Sequence, residues 1–288
     1  MANLKINGTE FYYEDHGSKT APAIVLSPLL YTDTTVFEPM IRSLEDEYRV
    51  ICYDHRGLGK SARPASRSIA NSAKDVASLI EQLDAGPCHF FGNCLGAFVG
   101  LQLAISRSDL LRSCTLTGVS AEADKSEKVQ QMDAFIDQAK TQGMKDSVKA
   151  FADMWFGSTF KASKDPIQVT RRERWLKHLE KLSEDEVEAA RQIFHREDLT
   201  KDLSKVHCPT LILCGDEDRA ESIEASKKVA NSIANAEFKM IHHAGYALVI
   251  EQPEEVAEML RTFVGKVERR LSQKSKQAPR EDFSRPSL

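Results

Sequence analysis

Phe90-Phe91-Gly92-Asn93-Cys94-Leu95-Gly96-Ala97 is the stretch on which the reading of this chain turns. It has the form Gly-x-Cys-x-Gly, set between an apolar run that begins at Cys88 and a second one that begins near Leu95. A strand that enters a sharp turn and leaves it as a helix needs residues without side chains where the two elements close on each other. Gly92 and Gly96 supply them. A turn of this kind lifts one side chain above a helix N-terminus, where unpaired N–H groups favour an anion. Cys94 therefore reads as a pocket-facing thiol with a lowered pKa and raised nucleophilicity. A free cysteine at an ordinary strand position would instead read as a small buried hydrophobe. The Leu95 N–H, with a second N–H from the loop around Leu29 and Leu30, is expected to receive an oxyanion.

Working outward, strand and helix patterns alternate over the first 120 residues. Leu4 to Ile6 and Glu10 to Glu14 form a leading hairpin. Ala23 to Pro28 (AIVLSP), Arg49 to Tyr53 (RVICY) and Arg112 to Leu116 (RSCTL) are apolar, β-branched runs of the kind found in buried parallel strands. Helical periods lie at Thr34 to Glu47 and Ile69 to Asp84. From Ala121 the chain is charged and helical throughout, and it carries Trp155, Phe156, Trp175 and Phe194. Strands resume at Pro209 to Gly215 and Ala236 to Ile241, with a helix from Ser222 to Ile233 between them and a last helix from Pro253 to Glu268. The pattern predicts a mostly parallel, doubly wound α/β sheet with a helical cap inserted after the sixth strand. Its parts are a first core segment at 1–120, the cap at 121–205 and a second core segment at 206–270. The polar, proline-containing stretch 271–288 reads as a disordered tail.

Composition narrows the function classes. The 288 residues, 41% hydrophobic, suffice for one large core. A net charge of −4 argues against a nucleic-acid or anionic-membrane surface. No apolar run is long enough to span a bilayer, and Met1 to Lys5 shows no signal-peptide pattern, so a cytoplasmic location is expected. The six cysteines fall singly, without C-x-x-C, and read as reduced thiols rather than a disulfide or metal framework. The expectation is a small-molecule substrate, no metal or organic cofactor, and no membrane or nucleic-acid partner. A homodimer is compatible with the sequence.

Four motifs, taken in order, give the chain a family resemblance. Asp54-His55-Arg56-Gly57-Leu58-Gly59-Lys60-Ser61 follows the fourth strand, and Gly92 to Gly96 forms the turn described above. Gly215-Asp216-Glu217-Asp218 ends a strand. His243-Ala244-Gly245-Tyr246 precedes Glu251-Gln252-Pro253-Glu254. Over Phe11 to Val264 the chain resembles the α/β-hydrolase superfamily, most nearly the branch of 3-oxoadipate enol-lactonase-like and C–C-bond hydrolases. The resemblance implies that fold, a nucleophile at position 94, an acid at Asp218 and a histidine base at position 246.

The chain departs from this pattern at two of the three positions. Cys94 stands for the usual serine, as it does in dienelactone hydrolases of the same fold, and Tyr246 stands for the histidine. A thiol depends less on a base than a hydroxyl does, so acylation at Cys94 is chemically accessible without imidazole. Deacylation is harder, because a phenol with an ordinary pKa near 10 is a poor base at neutral pH. His243 is a candidate substitute if the backbone kinks at Ala244-Gly245, and His242 a weaker one. The acid could instead follow the sixth strand, at Glu122 or Asp124. Met154, Trp155 and Phe156 are candidates for the substrate-facing cap wall, set against a plain cap-core role. Three functions remain open: a cysteine-dependent hydrolase of a small ester, lactone, thioester or β-diketone; a non-hydrolytic lyase, cyclase or acyl-transfer enzyme; and an inactive ligand-binding protein of the same fold.

Overall fold

The computed structural model describes residues 2–64 and 67–277. Eight strands form one sheet: β1 Ala2–Ile6, β2 Thr9–His16, β3 Ala23–Ser27, β4 Arg49–Tyr53, β5 Cys88–Asn93, β6 Leu111–Thr117, β7 Thr210–Gly215 and β8 Ala236–Ile241. Their order is β1-β2-β4-β3-β5-β6-β7-β8. The leading hairpin pairs antiparallel with β4, and every later pairing is parallel. All residues of β3, β4, β5 and β7 are buried, as their unbroken apolar runs require of strands covered on both faces. Helices Ile69–Gln82 and Leu95–Ser106 pack on each other, as do Glu38–Leu44 and Pro253–Gln277. The helix leaving the elbow, LGAFVGLQLAIS, is apolar all round and buried accordingly. Between β6 and β7 the chain is helical and contributes no strand.

Two boundaries differ from the sequence expectation. The segment expected as one helix from Thr34 starts as a 3-10 turn, Thr34–Phe37, capped by Asp33, whose carboxylate accepts from Thr35 N–H at 2.9 Å. A separate helix, Glu38–Leu44, then begins with proline in its first turn, the position that lacks an intrahelical partner anyway. The last helix runs to Gln277 rather than stopping at Glu268. The added stretch is rich in Arg, Lys, Gln and Leu and contains neither glycine nor proline, so nothing in it ends a helix. The expected tail is thus helical over 271–277, and 278–288 lie outside the described residues.

At the elbow the elements meet without room for a methyl group. A Cβ on Gly96 would lie 2.1 Å from the Ser27 carbonyl oxygen, and one on Gly92 would lie 2.2 Å from the Gly96 carbonyl oxygen. The obstacle in both cases is backbone, which cannot rotate aside. Gly96→Ala is expected to destabilise the fold by ~1–3 kcal/mol in urea unfolding, and an unchanged midpoint would show that β3 can yield.

Candidate active site

Cys94 sits at the apex of the elbow with φ 55° and ψ −115°, a backbone state that costs a non-glycine residue strain. Surrounding hydrogen bonds hold it there. Cys94 N–H donates to the Thr117 carbonyl at 3.0 Å, and Gly96 N–H donates to the Pro28 carbonyl at 3.0 Å. The Pro28 carbonyl also lies 3.0 Å from His55 Nε2. A carbonyl only accepts, so His55 carries its proton on that nitrogen. Burial lowers the His55 pKa to about 4, keeping the ring neutral. The Asp-His-Arg-Gly turn thereby fixes the loop after β3. The same loop brings Leu30 to the thiol, so that the backbone N–H groups of Leu30 and Leu95 both point at Cys94 Sγ. This is the arrangement expected of an oxyanion site.

The thiol opens onto a cavity of about 200 Å³ between the sheet and the helices inserted after β6. It is only 3% exposed, and this overturns the expected lowering of its pKa. Burial pushes the Cys94 thiol up to about 11, against the opposing pull of Tyr246 and the Leu30 and Leu95 N–H groups. Desolvation of an anion outweighs three hydrogen-bond donors here. At pH 7 such a group is thiolate in about one molecule in 10⁴.

Tyr246 stands next to the thiol, on the same cavity wall, with its hydroxyl directed at Sγ. Its ring lies on Gly118, where a Cβ would come within 2.4 Å of it. Asn93 Nδ2 donates to the Tyr246 carbonyl at 3.1 Å and ties the end of β5 to this loop. Burial pushes the phenol well above its ordinary pKa, and the proximity of Cys94 adds to the shift. The hydroxyl is therefore a donor and no base. Behind it, Asp218 Oδ1 accepts from Ala220 and Glu221 N–H at 2.8 and 3.0 Å. Its other oxygen, Oδ2, is buried without a partner. Burial raises the Asp218 carboxyl to about 7.

Other candidates lie elsewhere. His243 is not brought to the cavity: its backbone takes a positive φ of 59°, its side chain is exposed, and its N–H donates to Asp216 at 2.7 Å. His242 is also exposed, 2.9 Å from the other Asp216 oxygen. The backbone turns at His242-His243 rather than at Ala244-Gly245, leaving both histidines exposed and Tyr246 buried on the cavity wall. Met154 and Trp155 line the cavity. Phe156 does not, because the helix Val148–Trp155 ends there in an extended residue and the ring packs against Trp155 and Phe160. Glu122 is taken up by Lys228, and Asp124 by Lys128 and Arg196. His89 is a core histidine bonded to Ser113 and Glu268. Glu14, His16 and Cys52 group their ligand atoms within 4.8 Å on β2 and β4, away from the cavity wall.

The sequence reading missed several residues of the cavity and its frame. Glu221, Lys128, Arg196 and Arg219 give the cavity a charged side opposite its aromatic one. Arg196 pairs with Asp124 at 2.5 Å, donates to Ser120 Oγ at 3.0 Å and lies 4.4 Å above the Phe98 ring. The only signal for Glu221 was its place three residues after Asp218. Glu251 was noted as part of a motif without a role. It is buried, and its Oε2 accepts from Gly157 N–H at 3.2 Å and Gly245 N–H at 3.0 Å. With the Trp155 carbonyl, which accepts from Tyr246 and Ala247 N–H at 2.9 and 3.0 Å, it fastens the inserted helices to the Tyr246 loop.

Comparison with known proteins agrees with the fold. The family model for the alpha/beta hydrolase fold matches residues 22–253. The chain is 30% identical over 262 residues to RutD of Pseudomonas syringae pv. syringae (strain B728a), a proposed carbamate hydrolase, covering 88% of this chain and 97% of that protein. It is 26% identical over 256 residues to 3-oxoadipate enol-lactonase 1 of Acinetobacter baylyi (strain ATCC 33305 / BD413 / ADP1), covering 88% and 92%. The malate-bound structure of a thermophilic esterase from Thermogutta terrifontis superposes with a TM-score of 0.85 at 25% identity, covering 93% of this chain and 99% of the other.

Burial raises Glu251 from 4.5 to about 7. The folded state thus binds this proton more tightly than the unfolded chain does. The resulting stabilisation is fully present below the ordinary carboxylate value and is lost as the pH rises through about 7. Glu251→Gln keeps an acceptor oxygen for both glycine N–H groups and removes the titration. Its stability relative to the parent should rise between about pH 4.5 and 7 and then level off, while the buried histidines titrate equally in both proteins and cancel. Parallel pH–stability curves would refute this role.

Proposed function

The chain belongs to the α/β-hydrolase family, and from that premise we propose that it hydrolyses a small ester or lactone through a covalent acyl intermediate on Cys94. Thioesters, carbamates and β-diketones belong to the same carbonyl class. The observation that carries the reading is the thiol at the strained apex, facing a cavity and flanked by the Leu30 and Leu95 N–H groups. The relatives named above, an enol-lactonase, an esterase and a proposed carbamate hydrolase, act by name on acyl–heteroatom bonds and favour the same assignment. In this reading Cys94 Sγ attacks the substrate carbonyl, the oxyanion forms on the two N–H groups, and the thiol proton leaves with the departing oxygen. Tyr246 donates toward the reacting atoms and the aromatic wall, Met154 and Trp155 included, holds the acyl group.

A second reading, acyl transfer to an acceptor other than water, is favoured by one observation: among the described residues no histidine lines the cavity. Both readings pass through acyl-Cys94. Incubation with p-nitrophenyl acetate, followed by intact-protein mass spectrometry, should show a nitrophenol burst and one acetyl group on Cys94. Cys94→Ala should lower turnover by about 10³-fold or more. Undiminished turnover in that variant would sink the proposal, and a parent with no adduct, no burst and no steady nitrophenol release would favour the inactive ligand-binding alternative.

Tyr246→His restores an imidazole between the thiol and the unpartnered Oδ2 of Asp218. Steady-state hydrolysis should rise about 10²-fold, with a new ionisation near the ordinary histidine value of about 6.5. A folded variant without that gain would show that Asp218 no longer supports a base at this position.

A further inference from the structure

Hydrolysis of an acyl-Cys94 needs a group that accepts a proton from water, and the cavity wall narrows the choice by elimination. Lys128, Arg196 and Arg219 are cations and accept nothing. Tyr31 and Tyr246 are phenols that burial holds protonated, and Tyr31 also donates its hydroxyl to the Val187 carbonyl at 2.8 Å. Cys94 is itself acylated at that stage. Asp218 is not part of the wall. Among the described residues one carboxylate lines the cavity, and it belongs to Glu221.

We propose that Glu221 is the base that activates water for deacylation of Cys94, in place of the imidazole this fold usually supplies. The inference rests on acyl transfer to Cys94 and adds to it the residue that completes turnover. Glu221 is held in place from three sides. Its N–H donates to Asp218 Oδ1 at 3.0 Å, its Oε1 lies 3.5 Å from Arg196 Nη2, and Ser120 bonds to the carboxylate. Its side chain is mostly shielded from solvent and lines the same cavity as Cys94 and Tyr246, and its negative charge disfavours ionisation of both. Burial raises its pKa, opposed by Arg196 and Lys128 and assisted by Asp124. A carboxylate shifted in this direction is a stronger base than a solvated one.

The step balances without any further reactant. The oxygen of water bonds to the thioester carbonyl carbon while Glu221 takes one of its protons, and the oxyanion rests on the Leu30 and Leu95 N–H groups. The C–S bond then breaks, the acid product departs, and the Glu221 carboxylic acid returns its proton to the thiolate. Water and thioester become carboxylic acid and thiol, with Glu221 again ionised.

The test compares the parent, Glu221→Gln, Glu221→Asp and Glu221→Ala with p-nitrophenyl acetate, each variant first checked for a parent-like melting curve. Glu221→Gln should keep the burst, accumulate acetyl-Cys94 and deacylate about 10²-fold more slowly. It should also lose the rise of deacylation with pH that the parent owes to this carboxyl. Glu221→Asp should fall between the two, and added formate should partly rescue Glu221→Ala, which a merely structural role would not allow. A parent-like deacylation rate in Glu221→Gln, or no formate rescue in a folded Glu221→Ala, overturns this inference and leaves acylation standing. A Glu221→Gln variant and a parent that both form no acetyl-Cys94 and release no nitrophenol overturn both.

Discussion

The loop after β3 and the first turn of the helix after β5 touch backbone to backbone, and the rest of the site depends on that contact. Without a Cβ at Gly96, the Ser27 carbonyl can lie where a methyl group would otherwise stand, and Gly96 N–H reaches the Pro28 carbonyl at 3.0 Å. The same approach delivers Leu30 N–H to the thiol opposite Leu95 N–H. His55 and Tyr53 brace it from below: His55 Nε2 bonds to the Pro28 carbonyl and the Tyr53 hydroxyl lies 2.6 Å from Ser27 Oγ. Widening the contact by a few tenths of an ångström would separate the two N–H groups, so the glycine is a condition of the chemistry as well as of the packing.

Electrostatics inside the cavity follow from how little water reaches it. Three hydrogen-bond donors surround Cys94 and still fail to offset its desolvation, because the cost of a buried anion exceeds what neutral donors return. The same burial keeps Tyr246 protonated and draws Asp218 and Glu251 to about 7. These shifts have one cause and one sign, each favouring the neutral form. A site built this way holds its nucleophile as a thiol until a substrate occupies the cavity and offers a place for negative charge. Asp218 keeps the backbone bonds that orient it, yet presents an oxygen to nothing.

Much of this was legible in the residues. The apolar runs of β3, β4 and β5 and the two elbow glycines specify the sheet and its turn, because buried parallel strands and close backbone approaches leave few alternatives. The family resemblance pointed to Cys94, Asp218 and position 246, and the structure sets Tyr246 on the same cavity wall as the thiol. Two things were not legible. The direction of the Cys94 pKa depends on how much solvent the inserted helices exclude, which a helix N-terminus alone does not reveal. The charged wall of Glu221, Arg196 and Lys128 brings together three distant segments, and each residue by itself reads as an ordinary surface charge. Phe156 shows the same limit in reverse: adjacent to Trp155 in sequence, it faces the other way because the helix stops between them.

The fastening at Glu251 and Trp155 constrains how the molecule can breathe. Gly157 and Gly245 lie so close that a Cβ on Gly245 would approach Gly157 N to 2.3 Å, and two hydrogen bonds to the Trp155 carbonyl cross the same seam. Parting the inserted helices from the sheet along this seam would break the bonds that hold the Tyr246 loop. Elsewhere in the inserted segment, Ser126–Gln142 and Arg191–Phe194 are joined by ion pairs instead, Arg191 with Asp133 at 2.6 Å and with Asp137. Partly solvated pairs of that kind are weak and screened by salt. Ionic strength therefore loosens the ion pairs between these helices and leaves the buried backbone bonds at the seam alone.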